Sequence, residues 1–391
     1  MRAVVFESVD VIFGPTPKQA LQLLDAGEGR DAVFEKTGNL VAVHDASLFV
    51  DEGEICVLMG LSGSGKSSLM RCVNGLNKAT RGRVLVHDGS SEVDITSCDA
   101  GTLRRLRMNR ISMVFQQFAL MPWRSIRDNV GFGLEIRGMA KPERERKVDE
   151  KLALVRLDKW AHKFPHELSG GMQQRVGLAR AFATEADILL MDEPFSALDP
   201  LIRDKLQDEL LSLQKKLRKT IVFVSHDLDE ALKIGNRIAI LEGGRIVQIG
   251  TAEDILLNPA DDYVAEFVKH MNPLNVLRGT SVMTPASALR REGGNVVIAP
   301  GPIHVRVDAE FRPVGVSLAG REGRIVAADG ATGIIPGEPY DFISAPVDLT
   351  LRAAIALKTQ TDHPILLVDQ LGRLAGLCGD EEIYRGLLRR Q

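Results

Sequence analysis

One eight-residue run, GLSGSGKS at Gly60–Ser67, constrains the fold of this chain more than any other feature. It follows an apolar segment, Ile55–Met59, that is typical of a buried strand, and it precedes a helical stretch, Ser68–Asn74. This order of strand, glycine loop and helix is the context in which GxxxxGK[ST] binds phosphate. Glycines let backbone N–H groups turn onto phosphate oxygens, and the helix N-terminus adds its partial positive charge.

The side chains at the end of this loop predict a nucleoside triphosphate with Mg²⁺. Lys66 is expected to bridge the β- and γ-phosphates, and the Ser67 hydroxyl is expected to contact Mg²⁺. The other loop residues predicted to bind the nucleotide are Gly60, Ser62, Gly63, Ser64, Gly65 and Ser68.

A second apolar strand, Ile188–Met191, delivers two carboxylates to its end. Asp192 is predicted to hold Mg²⁺ directly or through water, and Glu193 is predicted to polarise the attacking water. One acidic residue at a strand end would be an ordinary solvent-facing group. Two of them after such a strand, in a chain with a phosphate loop, favour hydrolysis.

Composition limits the remaining possibilities. A chain of 391 residues suggests two or three domains, and its formal charge of −3 gives no overall field that attracts nucleic acid. No run approaches the ~18 apolar residues of a membrane-spanning helix, so any role at a membrane is expected to run through a partner. The cysteines form no CxxC pair and are expected to be free thiols of a reducing cytosol, mostly buried: Cys56, Cys72, Cys98 and Cys378.

Residues 1–272 are predicted to form one α/β domain. Strand-like apolar runs alternate with helix-length segments, which indicates a mostly parallel sheet covered on both faces. Glu242-Gly243-Gly244 indicates a hairpin at its edge, and residues 116–185 form a helix-rich insertion. The other predicted strands are Ile111–Phe115, Thr220–Val224, Arg237–Leu241 and Arg245–Ile249 in the core, and Ala3–Val9, Val41–Val50 and Arg83–His87 in a smaller antiparallel sheet.

Glycine and proline residues set two further segments apart. A second insertion, Gly14–Leu40, contains a helical stretch, Lys18–Asp25, and then a Gly-broken segment. Asn272-Pro273 indicates a domain boundary, after which Pro300–Pro302 and Asp329-Gly330 break the chain into short strands.

The segment Leu168–Arg175, LSGGMQQR, resembles the signature loop of ATP-binding cassette (ABC) ATPases. The other motifs of that family occur in the correct order. Gln116 matches the Q-loop glutamine, Ser196–Asp199 matches the D-loop, and His226 matches the switch histidine. The resemblance covers residues 3–249.

The resemblance implies a fold and a mechanism. The fold is an α/β phosphate-loop NTPase with a mostly parallel core sheet, an antiparallel β subdomain and a helical subdomain. In this family two nucleotide domains associate head to tail, and each signature loop closes over ATP bound to the other. A chain with one copy of each motif is therefore expected to act as a homodimer. The implied catalytic residues are Glu193, His226 and Gln116, the last also a Mg²⁺ ligand, and the implied additional ATP contacts are Ser169, Gly170, Gly171 and Asp199.

Two positions depart from the family pattern. Met172 stands where the signature usually has glutamine, and it cannot make the same hydrogen bond. The aromatic residue that stacks on adenine is usually tyrosine, and Phe13 is the candidate here, because stacking needs a ring and not a hydroxyl.

Within the ABC family, five features resemble the ATPase subunit of glycine betaine, proline betaine and choline importers. They are the Gly14–Leu40 insertion, MGLSGSGKSS, Phe118–Pro122, LSGGMQQRVGLARA and FSALDPLIR. The resemblance implies a peripheral protein at the cytoplasmic face of the inner membrane. Its implied partners are membrane permease subunits and, indirectly, a substrate-binding protein. Which quaternary amine is carried stays open, since this chain does not touch it.

The tail also carries a resemblance. Residues 340–389 resemble a CBS domain, with strands and helices in the order strand, helix, strand, strand, helix, and Val276–Asp329 is interpreted as a degenerate first copy. In this importer family such tails are associated with osmotic or ionic-strength regulation, and adenosine-nucleotide binding there stays open.

Other functions were weighed against import of a quaternary amine. An importer of another small polar solute stays open. Soluble ABC ATPases that act on DNA or ribosomes usually have long coiled coils or two nucleotide domains, and neither is evident here. The signature loop and the D-loop disfavour another phosphate-loop enzyme such as a kinase, and an exporter would normally have fused membrane helices.

Overall fold

A computed structural model describes residues 1–117, 119–196, 198–269, 272–298, 303–328 and 341–388. Some of the predicted features lie outside the described residues, and these are Phe118, Ala197 of the D-loop motif, Pro300–Pro302, Asp329-Gly330 and Tyr340.

The chain divides into two compact units. The first comprises Met1–Ile255 and Pro259–Glu266, and the second comprises Leu256–Asn258 and everything from Phe267 onward. The boundary predicted at Asn272-Pro273 therefore falls a few residues after the end of the first unit. None of the described helices is long and apolar enough to cross a lipid bilayer.

Ten strands form the two sheets of the first unit. In chain order they are β1 (Arg2–Phe13), β2 (Leu40–Asp51), β3 (Ile55–Met59), β4 (Arg81–His87), β5 (Glu92–Asp94), β6 (Ile111–Val114), β7 (Ile188–Asp192), β8 (Thr220–Val224), β9 (Arg237–Glu242) and β10 (Arg245–Gly250).

The core sheet has the order β10-β9-β3-β8-β7-β6. All neighbouring strands are parallel except β9 and β10, which form the predicted hairpin. Every residue of β3, β7 and β8 is buried, as expected for continuous apolar strands covered on both faces. The sequence prediction of a mostly parallel sheet is confirmed.

The smaller sheet has the order β2-β1-β4-β5 and is antiparallel throughout. Its inner face shares one hydrophobic core with the core sheet, and this core includes Phe6, Val84 and Val222. The helix that follows the phosphate loop contributes Leu69 and Met70 to the same core. The loop is therefore attached to a helix held by both sheets.

Eleven α-helices lie among the described residues of positions 1–268, and the last two extend into the second unit. They are α1 (Pro17–Asp25), α2 (Arg30–Thr37), α3 (Lys66–Val73), α4 (Ala100–Asn109), α5 (Ile126–Ile136), α6 (Lys141–Leu154), α7 (Gly170–Ala183), α8 (Pro200–Leu217), α9 (Leu228–Ile234), α10 (Ala252–Leu257) and α11 (Asp262–Val268).

Helices α5, α6 and α7 form a helical subdomain within the predicted insertion at 116–185. They bury a separate apolar cluster that includes Val130, Leu152 and Val176. Met172, the departure from the family signature, is partly buried against this cluster. Its side chain therefore serves packing at the start of α7.

The N-terminal insertion folds as two helices. The predicted helix at Lys18–Asp25 is confirmed by α1, whereas α2 occupies the segment that was expected only to be broken by glycines. Val33 of α2 is fully buried with Ile12, Leu24 and Val41, so the insertion packs on the ends of β1 and β2. This contact between distant residues explains why local sequence did not predict α2.

The second unit contains two five-stranded sheets. Its strands are β11 (Thr284–Pro285), β12 (Arg290–Glu292), β13 (Asn295–Ile298), β14 (Ile303–Val307), β15 (Pro313–Leu318), β16 (Arg321–Gly323), β17 (Ile325–Ala327), β18 (Phe342–Pro346), β19 (Ile365–Val368) and β20 (Leu374–Cys378), and its helices are α12 (Gly279–Val282), α13 (Leu351–Lys358) and α14 (Asp380–Leu388).

The C-terminal part of this unit follows the predicted order of strand, helix, strand, strand, helix through β18, α13, β19, β20 and α14. The segment interpreted as a degenerate first copy differs. There β12 to β16 form an antiparallel meander, and α12 has only four residues. Alternating segments such as Ile303–Val307 bury one face of this sheet.

The thiols agree with the expectation of mostly buried free cysteines. All four are unpaired, and Cys98 is the one of intermediate exposure. Burial raises the pKa of Cys56, Cys72 and Cys378 to about 12, so these thiols stay protonated at neutral pH.

Candidate functional site

The phosphate loop joins β3 to α3 and requires glycine at two positions of close approach. Gly60 has a φ of +141°, and a Cβ there would lie 2.1 Å from the Leu241 carbonyl oxygen. Gly65 has a φ of +97°, and a Cβ there would lie 2.1 Å from the Ala42 carbonyl oxygen. Any larger residue would push the loop away from the two strands that support it.

Within the phosphate loop, the side chain of Lys66 bonds to the loop backbone. Lys66 is buried, and its ammonium group donates to the carbonyl oxygens of Gly60 and Leu61 at 2.8 and 2.9 Å. Burial lowers the pKa of Lys66, while the Glu193 and Asp192 carboxylates act in the opposite direction. No side chain caps the N-terminus of α3, so its first N–H groups can bind an anion.

Asp192 ends β7 and lies directly against the phosphate loop. The Ser67 hydroxyl donates to its Oδ1 at 2.6 Å, and Arg71 donates to its Oδ2 through Nε at 3.1 Å and Nη2 at 2.7 Å. The Asp192 side chain is almost fully buried, so these bonds offset the cost of burying its charge. The two residues predicted to bind Mg²⁺ from loop and strand are therefore adjacent.

Glu193 is turned toward a different set of partners. Its φ is +44°, a left-handed conformation that is uncommon for a residue other than glycine. The Gln116 amide donates to Glu193 Oε2 at 3.0 Å, and Nδ1 of His226 lies 3.2 Å from the same oxygen. The structure thus brings together the three side chains predicted to be catalytic.

This assembly follows from the register of the core sheet. Leu58 of β3 and Asp192 of β7 are both paired with Val224, the last residue of β8. Because the three strands are parallel, their C-terminal ends meet at one edge. The phosphate loop, the two carboxylates and the segment leading to His226 all start from that edge.

The signature and D-loop residues lie at the starts of α7 and α8. Ser169 caps α7 by accepting a hydrogen bond from the Met172 N–H at 3.4 Å, and Gly170 and Gly171 form its first turn. Asp199 caps α8 by accepting from the Ile202 N–H at 3.1 Å. Among the described residues, no hydrogen bond joins Ser169, Gly170 or Gly171 to the phosphate loop.

Phe13, the predicted adenine-stacking residue, ends β1 opposite Leu40 of β2. Its ring is 42% exposed, which leaves a face free for stacking. From the neighbouring insertion, Arg30 donates to the Gly63 carbonyl oxygen of the phosphate loop at 3.4 Å.

Arg71 is the polar contact at this site that the sequence reasoning missed. It lies four residues after Ser67 on α3, and residues at that spacing share one helix face. The spacing to Ser67 was a signal that could have identified it.

The donor set at the loop fits Mg²⁺. The Ser67 hydroxyl and the Asp192 carboxylate are adjacent and supply oxygen atoms, which Mg²⁺ prefers as ligands. The hydrogen bond of Gln116 runs instead from its amide nitrogen to Glu193. No cluster of three or more His, Cys, Asp or Glu side chains suited to a metal occurs in the described part of the chain. A site with only a few protein oxygens is typical of Mg²⁺ that also binds the phosphates of a nucleotide.

The chain is similar to known ATP-binding proteins of transporters. Residues 43–196 match the family model described as ABC transporter. The glycine betaine/proline betaine transport system ATP-binding protein ProV of Salmonella typhimurium is 49% identical over 73% of this chain and 76% of its own length. Glycine betaine transport ATP-binding protein OpuAA of Bacillus subtilis is 43% identical over 98% of this chain and 90% of its own length.

This chain belongs to the ABC transporter ATP-binding proteins. Its relatives place it among the ATP-binding subunits of the glycine betaine, proline betaine and choline importer family. The similarity extends through the C-terminal unit, since the glycine betaine/carnitine transport ATP-binding protein GbuA of Listeria monocytogenes is 48% identical over 96% of this chain. The chain is accordingly an ATPase, as the sequence motifs predicted.

Solved structures confirm the ABC fold. A dimeric structure of the ATP-binding cassette MJ0796, in a post-hydrolysis state bound to ADP and Pi, has a TM-score of 0.54 and 31% sequence identity. It covers 64% of this chain and 98% of its own length. The shared part is therefore a single ATP-binding cassette.

Lys66→Ala tests the phosphate loop. Loss of the ammonium group removes a charge-assisted contact worth about 1.5–3 kcal/mol, so ATP should bind roughly 10- to 150-fold more weakly. A fluorescent ATP analogue measures the affinity, and Lys159→Ala, an exposed lysine, is the control. Unchanged affinity together with unchanged turnover in Lys66→Ala would exclude this loop as the ATP site.

Proposed function

We propose that this chain hydrolyses ATP to drive import of a quaternary amine, namely choline, glycine betaine or proline betaine. The observation that carries the proposal is the convergence of Lys66, Asp192 and Glu193 at one sheet edge, in a chain whose relatives are named for betaine transport. Other relatives are named for choline, carnitine or trimethylamine N-oxide transport. These solutes share a small cationic nitrogen headgroup.

In the proposed mechanism, Glu193 holds and polarises the water that attacks the γ-phosphate. Its carboxylate is oriented by Gln116 and lies beside His226, which can contact the same phosphate. Lys66 and the α3 N-terminus stabilise the phosphate charge that develops in the transition state. Mg²⁺, held by Ser67, Asp192 and Gln116, would supply further charge neutralisation.

We propose that two copies of the chain form the working unit. Ser169, Gly170 and Gly171 of one subunit would close over the ATP on the phosphate loop of the other, with Asp199 beside them. Ser169 caps one N–H group at the start of α7, and the other N–H groups of this first turn suit a γ-phosphate. The dimeric solved structures of a similar cassette support this arrangement. ATP then joins the subunits, and hydrolysis releases them.

The remaining partners are proposed from the importer family. The chain would bind permease subunits at the cytoplasmic face of the inner membrane, and a substrate-binding protein would deliver the solute to the permease. No role in binding nucleic acid is proposed, in line with the formal charge of −3. Trp123, which follows the Q-loop segment and is 74% exposed, has the character of an interface residue.

Glu193→Gln separates catalysis from assembly. The amide keeps the size of the carboxylate but cannot take up a proton, so ATP should bind while hydrolysis falls by at least 100-fold, about 2.7 kcal/mol in the barrier. An ATP-bound dimer should then accumulate. Light scattering after size exclusion, with ATP and Mg²⁺, measures it, and Glu143→Gln on the exposed face of α6 is the control.

Adding Ser169→Arg to Glu193→Gln should dissociate that dimer, because a bulky cation would block the approach of the signature loop to ATP on the other subunit. A Glu193→Gln variant that hydrolyses ATP at the normal rate would refute its catalytic assignment. An inactive variant that stays monomeric with ATP bound would refute dimer formation by the isolated subunit.

The transported solute is tested in vesicles that contain this chain, its permease and its binding protein. Choline, glycine betaine, proline betaine and trimethylamine N-oxide are each supplied with ATP, and ATP turnover is measured. Solutes with a quaternary ammonium group should stimulate turnover, since such cations bind aromatic cages. Absence of stimulation by choline, glycine betaine and proline betaine would contradict import of these quaternary amines.

We propose a regulatory role for the C-terminal unit, with its CBS-like part at residues 340–389. The order of elements from β18 to α14 supports this, as does the similarity to relatives over 96–98% of the chain. The meander of β12 to β16 would be a separate element of the same regulatory unit.

A chain that ends at Asn272 tests the regulatory proposal in the same vesicles. The first unit is compact by itself, so ATP turnover should stay within about twofold of the full chain. The response of turnover to ionic strength should be lost. Equal responses of the truncated and full chains would contradict regulation by this unit.

A further inference from the structure

An arginine outside the predicted catalytic set links the D-loop to the switch loop. Arg203 lies on α8, four residues after Asp199. Its Nη1 donates to Asp227 Oδ2 at 2.7 Å, and its Nη2 donates to the Leu198 carbonyl oxygen at 3.3 Å. One planar guanidinium group thus joins the residue before Asp199 to the residue after His226.

The Asp227 end of this bridge is held firmly. Its backbone N–H donates to the Ser225 hydroxyl at 3.0 Å, and its Oδ1 accepts from the Glu230 N–H at 3.1 Å, which caps α9. Gln207, one turn after Arg203 on α8, donates to the buried Glu230 carboxylate at 3.1 Å. Two side chains of α8 therefore hold the segment that carries His226.

The bridge borders the predicted catalytic residues. A cavity of about 20 Å³, enough for one water molecule, is lined by Arg203, Glu193 and His226, among others. The side chains of Arg203 and Asp227 are 28% and 33% exposed, so their ion pair is partly shielded from solvent. A shielded, charge-assisted pair holds its geometry better than an exposed one.

We propose that Arg203 is a positioning residue that transmits contact at the D-loop to the switch histidine. A second subunit that contacts Asp199 would shift the start of α8, and the Arg203–Asp227 bond would carry this shift to His226 beside Glu193. This rests on the proposed homodimer. The consequence is that the ATP site reaches its hydrolytic geometry only when the facing subunit is in place.

The first test compares Arg203→Ala with Lys205→Ala, an exposed neighbour on α8. In the reconstituted vesicles, Arg203→Ala should lower kcat by roughly 3- to 30-fold and leave KM for ATP within about twofold, because it acts on the geometry of hydrolysis and not on nucleotide binding. Lys205→Ala should match the unchanged chain. Equal kcat in the two variants, or a loss confined to KM, would overturn the proposal.

Conservative variants distinguish coupling from simple folding. Arg203→Lys can keep the charge contact with Asp227 but cannot span both partners, so kcat should be partly restored. Asp227→Asn keeps a capping oxygen for α9 and removes the charge. The double variant Arg203→Ala with Asp227→Asn should be no slower than the slower single variant. Fully additive losses would mean that the two residues act separately, which would overturn the bridge.

A separate measurement keeps this proposal distinct from the homodimer. Glu193→Gln with Arg203→Ala should still form the ATP-dependent dimer, since the phosphate and signature loops are intact. Loss of the dimer in that variant alone would show that Arg203 acts on assembly, against the proposal. If Glu193→Gln by itself stays monomeric, the isolated homodimer fails, while kcat of Arg203→Ala in the vesicles still decides the role of the bridge.

Discussion

The parallel pairing of β3, β8 and β7 is the constraint on which the rest of the site depends. Leu58 and Asp192 share Val224 as their partner, so three segments that are far apart in sequence end at one level. The hydrogen bonds between the strands fix this register. A slip of one residue in β7 would move Asp192 off the edge and turn its side chain to the other face.

Two adjacent carboxylates acquire different surroundings at the end of β7. Asp192 remains in the strand and is buried against Ser67 and Arg71. Glu193 leaves the strand through a left-handed backbone, which costs about 1–3 kcal/mol for such a residue, and turns toward Gln116 and His226. The strained conformation therefore gives two neighbouring carboxylates different partners, as the proposed roles in Mg²⁺ binding and in polarising water require.

Most of the core was predictable because its signals are local. Strands such as Thr220–Val224 are continuous apolar runs, and the motifs that bind phosphate have fixed spacing. The contacts of Arg71 and Arg203 were not predicted, since each depends on a partner more than 20 residues away. For the same reason α2 was missed, because its buried Val33 packs on strand residues. In the tail, Val276–Asp329 was interpreted as a degenerate first CBS copy, whereas β12 to β16 of that segment form an antiparallel meander.

The N-terminal insertion, Gly14–Leu40, leaves and rejoins the smaller sheet at neighbouring positions. Phe13 and Leu40 are direct partners across β1 and β2, so the intervening chain leaves the sheet and returns to it at one point. Closing a loop between paired ends costs entropy that grows only slowly with loop length. The segment between Phe13 and Leu40 can therefore be replaced, lengthened or shortened during evolution without a change in the pairing of β1 and β2. The same point is a natural place to fuse a reporter domain, with the fused chain emerging beside Phe13, the proposed adenine-stacking residue.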